Sequence, residues 1–351
     1  MPSKEIMGIV KSLVITSISK SSTPILESIF EKANNSGVVS FLILDKKSGQ
    51  INSSVARVID CDLQLELSFE LSTKLPWNSY SRKNLGYLLA IQQGSEWLIE
   101  TDDDNLPSQE FFNLENEIHK DVRAIKDKGW VNFYPLFGND QVWPRGLPLK
   151  EVNRVRKIPS IRTIGLKKNQ APIFQVIANE DPDVDAIFRL THKLPQYFNS
   201  ASPVYIGPGS ISPFNSQATW WHHSVALLSY FPSFISWRVA DIWRSLIAQR
   251  ILHTRNQGVL FFEAFVRQDR NSHDLMKDFE EELLCYTHSG VVWEILQKIP
   301  QELLEKQLSE AILTCYVGLV EAKLIPIEEI ELLTSWIRDF ESITNRDAKK
   351  N

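Results

Sequence analysis

Short apolar runs alternate with amphipathic stretches over the first sixty residues. Residues 12–18, 38–44 and 55–59 are rich in β-branched side chains, and each run has the length of a buried strand. Between the first two runs, apolar side chains recur at helical spacing after Ser22 or Thr23, either of which suits a helix N-cap. Strands that alternate with helices at this spacing predict an α/β fold with a mostly parallel, Rossmann-like sheet flanked by helices.

The next helical pattern runs from Tyr80 to Gly94, and Gly94 suits the position just after a helix C-terminus. Gly86 lies inside this helix, where glycine costs about 1 kcal/mol relative to alanine. We therefore expect Gly86 to lie close against a neighbouring element. Residues 97–99 follow as a short apolar run that is typical of a buried strand.

The last third changes character. Residues 258–266 predict one more buried strand, and from Asp274 onward apolar side chains recur at helical spacing, with Pro300 and Pro326 between the stretches. We predict two regions: an α/β domain at 1–273, which holds the candidate site residues described below, and a helical C-terminal appendage at 274–351. The appendage either packs on the α/β domain or joins copies of the chain into a homo-oligomer.

Composition narrows the class of protein. The 351 residues are 43% hydrophobic and 23% charged, as in ordinary soluble globular proteins. The formal charge of -5 argues against a nucleic-acid binder. The three cysteines lie far apart, which argues against a disulfide framework or zinc site and favours a reducing cytosol. With no signal peptide or membrane-spanning run recognised, we expect a cytoplasmic protein, and peripheral contact with the inner face of the membrane stays open.

Three consecutive aspartates, Asp102, Asp103 and Asp104, follow the predicted strand at 97–99. Adjacent carboxylates repel one another and cannot be buried unpaired, so a cation is expected beside them. A divalent metal ion that carries a diphosphate fits best. Residues 105–107 then turn the chain away, which leaves the cluster on a loop at the carboxyl end of a strand, where α/β sheets bind ligands.

The order of residues before this cluster resembles the nucleotide-sugar half of GT-A glycosyltransferases. The residues that carry the resemblance are Arg82, Asn84, Gly86, Ala90, Gly94 and the strand at 97–99. The Asp-x-Asp motif of that family matches Asp102 and Asp104, which implies that they hold Mn²⁺ or Mg²⁺ against the diphosphate of a UDP- or GDP-sugar. Hard carboxylate oxygens suit such a cation. The resemblance also implies that Arg82, Asn84 and Asp103 bind the nucleotide sugar.

A finer resemblance rests on four later segments: residues 142–149 (VWPRGLPL), 181–191 (DPDVDAIFRLT), 213–219 (PFNSQAT) and 241–250 (DIWRSLIAQR). Together they resemble the STELLO-type family, which is GT-A-like and more distantly similar to the reversibly glycosylated polypeptides, the UDP-arabinopyranose mutases. The resemblance covers residues 14–270. It implies a nucleotide-sugar site more firmly than it implies any particular reaction.

Two polar residues on turns are further candidates for the nucleotide-sugar site. Asp45 ends the strand at 38–44, a position from which nucleotide-binding proteins reach a base or ribose, and it equally suits a helix cap or turn. Arg145 lies on a rigid turn between Pro144 and Gly146, where its guanidinium could grip a phosphate or a sugar carboxylate. A surface salt bridge is the alternative for Arg145.

The aspartates of residues 181–185 resemble a calcium loop only superficially, because the sixth and twelfth positions are Ala186 and His192. Asp183 and Asp185 are instead candidates for orienting the acceptor, and pairing with Arg189 is the alternative.

The turn-rich loop at 207–217 is long enough to be functional. Its Asn215 and Gln217 suit sugar hydroxyls. The residues after this loop add flat apolar faces for sugar C–H groups, at Trp220 and Trp221, and candidate metal ligands, at His222 and His223. Histidines satisfied by backbone groups are the alternative.

A helix that starts near Ser236 or Arg238 would place Asp241 in its first turns, where the helix dipole favours an ionised carboxylate. Inverting GT-A enzymes place a general base near such a helix start, so Asp241 is our candidate for deprotonating the acceptor hydroxyl. The alternative is a salt bridge to Arg238, Arg244 or Arg250. Further along, a polar segment could close over phosphate through Arg267, Arg270 and His273.

Three hypotheses of function follow. The first is a metal-dependent glycosyltransferase that moves a sugar from a nucleotide-diphosphate sugar to an acceptor hydroxyl, with surface polysaccharide synthesis as its setting. The second is a mutase or hydrolase of the nucleotide sugar. The third is a non-catalytic GT-A-like protein that binds nucleotide sugar or supports another transferase.

Overall fold

The computed structural model describes residues 9–117, 121–167, 169–268 and 274–348. Its strands are β1 (Lys11–Ser17), β2 (Val38–Leu44), β3 (Ala56–Ile59), β4 (Trp97–Thr101), β5 (Asn105–Pro107), β6 (Val122–Ile125), β7 (Gly129–Trp130), β8 (Ile161–Ile164), β9 (Ile173–Asn179), β10 (Val204–Ile206), β11 (Ser210–Ile211), β12 (Ala218–His222) and β13 (Val259–Gln268). Its α-helices are α1 (Pro24–Asn35), α2 (Cys61–Glu66), α3 (Glu70–Lys74), α4 (Lys83–Gln92), α5 (Leu149–Val155), α6 (Ala186–Thr191), α7 (Trp237–Thr254), α8 (Leu275–Glu281), α9 (Leu283–Lys298), α10 (Gln301–Leu304), α11 (Leu308–Glu321) and α12 (Glu328–Ala348).

One mixed sheet runs through the described residues in the order β3-β2-β1-β4-β12-β9-β13-β10-β6-β8, and β5 pairs with β13. The strands β3, β2, β1 and β4 are parallel to one another. Beside them, β12 runs antiparallel to both β4 and β9. The predicted α/β class, with a mostly parallel sheet flanked by helices and further helices at the C-terminus, is confirmed.

Helices cover both faces of the parallel strands because alternate strand residues are apolar on each face. On one face, Leu13 and Ile15 of β1 pack in a core with Leu26 and Phe30 of α1. On the other face, Val14 packs in the core that contains α4, α7 and the C-terminal helices. The predicted N-cap of α1 is confirmed: the hydroxyl of Thr23 accepts a hydrogen bond from the backbone N–H of Leu26.

The predicted close approach at Gly86 is also confirmed. A Cβ atom built on Gly86 would lie 2.4 Å from Val14 Cγ1 and 3.0 Å from Ile43 Cγ1. Both neighbours belong to buried strands and cannot move freely. The absence of a side chain therefore lets α4 lie directly on β1 and β2, the strands whose carboxyl ends border the site.

We expect Gly86→Ala to lower the free energy of unfolding. Overpacking costs about 1–3 kcal/mol, which exceeds the helix-propensity gain of about 1 kcal/mol. Gly290→Ala in α9 is the matched control, because its Cβ would meet nothing nearer than Pro148 Cγ at 3.6 Å. That change should stabilise the protein by up to about 1 kcal/mol. Urea unfolding of both variants measures the difference, and two changes of the same sign would contradict the packing argument.

The segment at 105–107 differs from its prediction. The turn is made by the aspartates themselves, and the chain then re-enters the sheet as β5, antiparallel to β13. Asn105 fixes this tight turn, because its buried side-chain amide donates to Thr101 Oγ1 at 3.0 Å and to the backbone oxygen of Gln217 at 2.8 Å.

The C-terminal helices pack on other helices and helical segments of the chain, through polar contacts as well as a shared apolar core. Trp336 Nε1 donates to the backbone oxygen of Leu227 at 3.0 Å. The carboxylate of Asp339 accepts from the backbone N–H groups of Glu70 and Leu71, which open α3. The predicted packing on the domain at 1–273 is thus observed, whereas the boundary at 273/274 and an oligomer through these helices stay predictions. In the part of the chain that the structure describes, no helix has the length and apolarity that crossing a membrane requires.

Candidate functional site

The carboxyl ends of β2, β1 and β4 meet at one edge of the sheet because these neighbouring strands are parallel. A cavity of about 680 Å³ opens at this edge, which is within the usual range for small-molecule sites. Its opposite wall comes from the region before α5, the loop before β12, the start of α7 and the end of β13.

Nine of the predicted site residues line this cavity. They are Asp45, Arg82, Asp102, Asp103, Asp104, Arg145, Asp183, Gln217 and Asp241. Six aspartates but only four basic side chains are among the lining residues. An anionic ligand such as a diphosphate would therefore need a cation to enter this cavity.

The aspartate cluster lies on the wall that β4 forms. Burial, followed by the charge of Asp102, raises the pKa of Asp104 to about 7. Burial also raises the pKa of Asp102, against the lowering effect of Lys83. Asp104 Oδ2 accepts from Gln268 Nε2 at 3.1 Å, whereas its Oδ1 is buried without a hydrogen-bond partner. Asp103 accepts a hydrogen bond from the Ser17 hydroxyl.

Two side chains that the motif analysis passed over support Asp102. The phenol of Tyr80 donates to Asp102 Oδ1. Lys83 is wholly buried, donates to the Tyr80 oxygen at 2.8 Å, and its Nζ lies 3.6 Å from Asp102 Oδ1. Lys83 starts the helix that precedes the strand with the aspartates at its end, and this placement could have identified it. It was passed over because the family motif does not specify that position.

The residues present fit a hard divalent cation. Hard carboxylate oxygens, two carboxyls whose pKa values are raised by burial, and the unpartnered Oδ1 of Asp104 all favour such a cation. Across the described ranges, no group of three or more His, Cys, Asp and Glu side chains is arranged as a complete metal site. The remaining ligands would therefore be water and ligand oxygens, as is usual where Mg²⁺ binds with phosphates.

Arg145 lies on the opposite wall and holds two carboxylates together. Its Nε donates to Asp183 Oδ1 at 2.8 Å, and Nη1 and Nη2 donate to the two oxygens of Asp241 at 3.1 and 2.8 Å. Burial raises the pKa of Asp183. The charge and hydrogen bond of Arg145, together with smaller contributions from other neighbours, outweigh burial, so the net direction is downward. The surface location predicted for the Arg145 salt bridge is wrong, because its ion pairs are buried. Binding of a phosphate or sugar carboxylate by Arg145 stays a prediction, and in this structure its donors bond to the two aspartates.

The predicted partners of Asp241 are corrected in the same way. Its partner is Arg145, 96 residues earlier in the chain. Arg244 pairs with Glu100, and Arg250 donates to backbone oxygens of α9 and the residue after it. The predicted helix start is confirmed, since α7 begins at Trp237 after an N-cap at Ser236.

Asp45 and Arg82 line the cavity, but their polar atoms form hydrogen bonds with the segments around it. Asp45 accepts from the backbone N–H groups of Asn78 and Ser79 at 2.8 and 3.1 Å, which is the turn-residue alternative. The guanidinium of Arg82 donates to the Gln64 side chain and to the backbone oxygens of Ser72 and Leu75. Burial lowers the pKa of Arg82 to about 10.

Asn84, Asp185 and Asn215 lie behind the cavity rather than in it. The Asn84 amide is wholly buried and bonds to both backbone polar groups of Phe231. Asp185 caps α6 and accepts from Trp143 Nε1 at 2.8 Å, and burial raises its pKa to about 6. Asn215 Oδ1 accepts from the Gln175 side chain and from the backbone N–H of Gln217. These three predictions are corrected to structural positions.

The histidines cannot complete a metal site with the aspartates. Because β12 is antiparallel to β4, Ala218 pairs with Thr101 and His222 pairs with Trp97 at the amino end of β4. Four residues of strand, roughly 14 Å, therefore separate His222 from the aspartate end. His223 follows His222 and is exposed.

Trp220 and Trp221 are both 0% exposed and belong to the core, so neither offers a face to a sugar. The sheet register decides this, because β12 lies between two other strands and both of its faces are covered. Trp237, which no sequence pattern singled out as a site residue, lines the cavity and is 47% exposed.

The polar segment at 267–273 is described only in part, and its first two residues belong to β13. Arg267 is 54% exposed at its side chain and pairs with Glu180 at 3.6 Å. Arg270 and His273 lie outside the described residues. The contribution of this region to the cavity is Gln268, which bonds to both Asp104 and Gln217.

Comparisons with known proteins bear on the residues around Asp241. The sequence model of the family described as STELLO glycosyltransferases matches residues 238–348, from the cavity wall through the C-terminal helices. The chain is 31% identical over 216 residues to "Probable glycosyltransferase STELLO1" of Arabidopsis thaliana, a match that covers 55% of this chain and 27% of that protein. It is 30% identical over 223 residues to "Probable glycosyltransferase STELLO2" of the same plant, covering 57% and 28%.

The matches span little more than a quarter of the length of these relatives. The match to the family model includes the C-terminal helices, which the motif resemblance did not cover. The family model and the two relatives confirm the resemblance drawn from the motifs: residues 238–348 of the chain are similar to the STELLO glycosyltransferases.

Proposed function

We propose that this protein is a metal-dependent, GT-A-type glycosyltransferase that moves a sugar from a nucleotide-diphosphate sugar to an acceptor hydroxyl. The observation that carries the proposal is the pair Asp102 and Asp104 at the carboxyl edge of parallel strands, facing a cavity of about 680 Å³. This pair has raised pKa values and one unpartnered oxygen, so it favours a cation.

In this proposal Asp102 and Asp104 hold Mn²⁺ or Mg²⁺, which would neutralise the diphosphate as it leaves the sugar. Tyr80 and Lys83 keep the Asp102 carboxylate in place. Asp241 stands on the opposite wall as the base that accepts the proton of the acceptor hydroxyl. Arg145 and the backbone N–H of Ser216 fix the orientation of this carboxylate.

Incubation of the full chain with UDP- and GDP-sugars and Mn²⁺ tests the proposal. A ligand at one hundred times its Kd should stabilise the protein by about 2.7 kcal/mol, visible as a rise in Tm. Release of nucleoside diphosphate that depends on an added glycan supports transfer. Release without an acceptor, or an isomerised nucleotide sugar, would favour the hydrolase or mutase alternative. Binding without turnover would favour a non-catalytic role, and no response to any nucleotide sugar would refute all three.

We expect Asp241→Asn to spare nucleotide binding and to lower kcat by about 10²–10⁴-fold, the usual contribution of a general base. The reason is that the amide keeps the shape of the carboxylate but cannot take the proton. Asp183→Asn is the matched control, because it neutralises the other carboxylate on Arg145. An equal loss in both variants would assign the effect to the ion-pair cluster rather than to Asp241 as the base.

A further inference from the structure

Trp237 presents an aromatic surface inside the candidate cavity. All ten tryptophans of the chain lie in the described residues; eight are buried, and Trp237 is the most exposed at 47%. It opens α7, four residues before Asp241, and residues four apart share one face of a helix. Both side chains line the cavity. The indole therefore lies one helical turn from the carboxylate that we assign to proton removal.

Two neighbouring side chains hold the ring in place, and one of them, Arg238, lies over a face of the ring. The guanidinium carbon of Arg238 lies 4.6 Å from the centroid of the Trp237 ring, and Arg238 is itself fixed by ion pairs with Asp278, Glu281 and Glu282. The ring of Tyr80 lies at 6.4 Å with an angle of 31° between the ring planes. An aromatic side chain with two such neighbours is preorganised. Little side-chain entropy is therefore lost when a ligand stacks on its exposed part.

An exposed indole in a polar cavity suits a ligand that is flat and apolar on one side and polar at its rim. A pyranose ring has this form: its axial C–H bonds make an apolar face that the negative face of an aromatic ring attracts. Ser216 and Gln217 line the same cavity and offer hydrogen-bonding groups for the rim. Few precisely placed polar groups beside aromatic surface are typical of small-ligand sites.

We propose that Trp237 is the floor of an acceptor subsite, on which a pyranose ring stacks with one hydroxyl directed to Asp241. The proposal rests on the proposed function, because it takes the donor to lie at Asp102 and Asp104. It identifies the acceptor class as a carbohydrate rather than a lipid or protein hydroxyl.

Saturation-transfer NMR with methyl glucopyranoside, galactopyranoside and mannopyranoside as probes tests this subsite. The full chain is measured alone and with UDP and Mg²⁺, in wild type, Trp237→Ala and Trp237→Phe. We expect at least one glycoside to receive saturation at the C–H protons of one face in the wild type. The signal should fall at least tenfold in Trp237→Ala and survive in part in Trp237→Phe. The UDP-dependent rise in Tm should be the same in all three proteins.

Three results would overturn the subsite: no glycoside saturation in the wild type, equal saturation in Trp237→Ala, or loss of the UDP-dependent rise in Tm in Trp237→Ala. The last would mean that the indole stacks on the nucleobase instead. Failure of the donor site gives a different pattern, in which UDP leaves the Tm of the wild type unchanged with Mg²⁺ and with Mn²⁺. In that case the glycoside signals would still test the stacking role of Trp237 independently of the donor site.

Discussion

Replacing Asp102 and Asp104 together by asparagine should remove most of the stabilisation that UDP and Mn²⁺ give the wild-type protein. Loss of even an outer-shell partner weakens metal binding 10–100-fold, and here two anionic ligands disappear. At a ligand concentration one hundred times the wild-type Kd, a hundredfold loss would reduce the stabilisation from about 2.7 to about 0.4 kcal/mol. Thermal unfolding with UDP, with and without Mn²⁺, measures the change.

The single change Asp104→Asn should have the opposite effect on the metal-free protein. Asp104 has a folded-state pKa of about 7 against an ordinary value of 3.8, because burial and Asp102 disfavour its charge. Below about pH 4 the carboxyl is protonated in both the folded and the unfolded state, so its ionisation does not lower the free energy of unfolding. As the pH rises to about 7, the unfolded chain loses this proton more readily than the folded one, so wild-type stability falls. The neutral amide of the Asp104→Asn variant lacks this penalty.

The free energy of unfolding is measured in urea with a chelator present. The excess of Asp104→Asn over wild type should grow between about pH 4 and pH 7 and then level off. Asp140→Asn is the matched control, since Asp140 is exposed and lies outside the cavity lining. The control should change neither the Mn²⁺ response nor the pH dependence. An unchanged Mn²⁺-dependent rise in Tm in the double variant would exclude these aspartates as the metal site.

A second large effect is expected from Arg244→Met, which leaves a buried carboxylate without its main partner. Glu100 and Arg244 are 0% and 1% exposed at their side chains, and Arg244 Nη2 lies 2.7 Å from Glu100 Oε1. Glu100 also accepts from Trp221 Nε1 and from the phenol of Tyr87. Removing one member of such a pair costs about 3–5 kcal/mol, because the remaining charge stays in a poorly solvating interior.

The double variant Glu100→Gln/Arg244→Met should recover part of this loss, because it removes a buried carboxylate whose remaining cationic neighbour, Lys83 Nζ, lies 3.9 Å away. Arg338→Met is the surface control: Arg338 pairs with Glu70 at 3.5 Å, and their side chains are 62% and 44% exposed. That change should alter the free energy of unfolding by less than about 1 kcal/mol. Denaturant titrations of the four proteins give the comparison. Equal losses in Arg244→Met and Arg338→Met would contradict the role of burial.

Much of the parallel half of the fold follows from local patterns. The strand at 38–44 has its predicted bounds, and β1 and the start of α7 lie within a residue or so of theirs. These elements are strongly periodic and have turn or cap residues at their ends, so local sequence contains the needed information. The mixed half was harder to predict from sequence, because some of its strands are short: β10 has three residues, and β6 and β8 have four each.

The candidate site likewise has a part that the sequence predicted and a part that it did not. The aspartate cluster was predictable because strand, turn and charge are contiguous in the chain. Asp241 and Arg145 were each recognised as candidates, but their pairing across 96 residues was not. The histidines and Trp220 were predicted as site residues but lie outside the cavity. Their chemistry suited the reaction, while the register of β12 places His222 at the wrong end of the sheet and Trp220 inside the core.

The sequence by itself determined an α/β fold, an acidic strand end that favours a cation, and a resemblance to STELLO-type glycosyltransferases. These follow from contiguous residues, because period, capping and local charge act within a few positions of the chain. Only the tertiary structure decided which distant side chains share the cavity. It placed Trp237 and Asp241 there and neutralised Arg145 with two carboxylates, because strand order and register bring together residues that are remote along the chain.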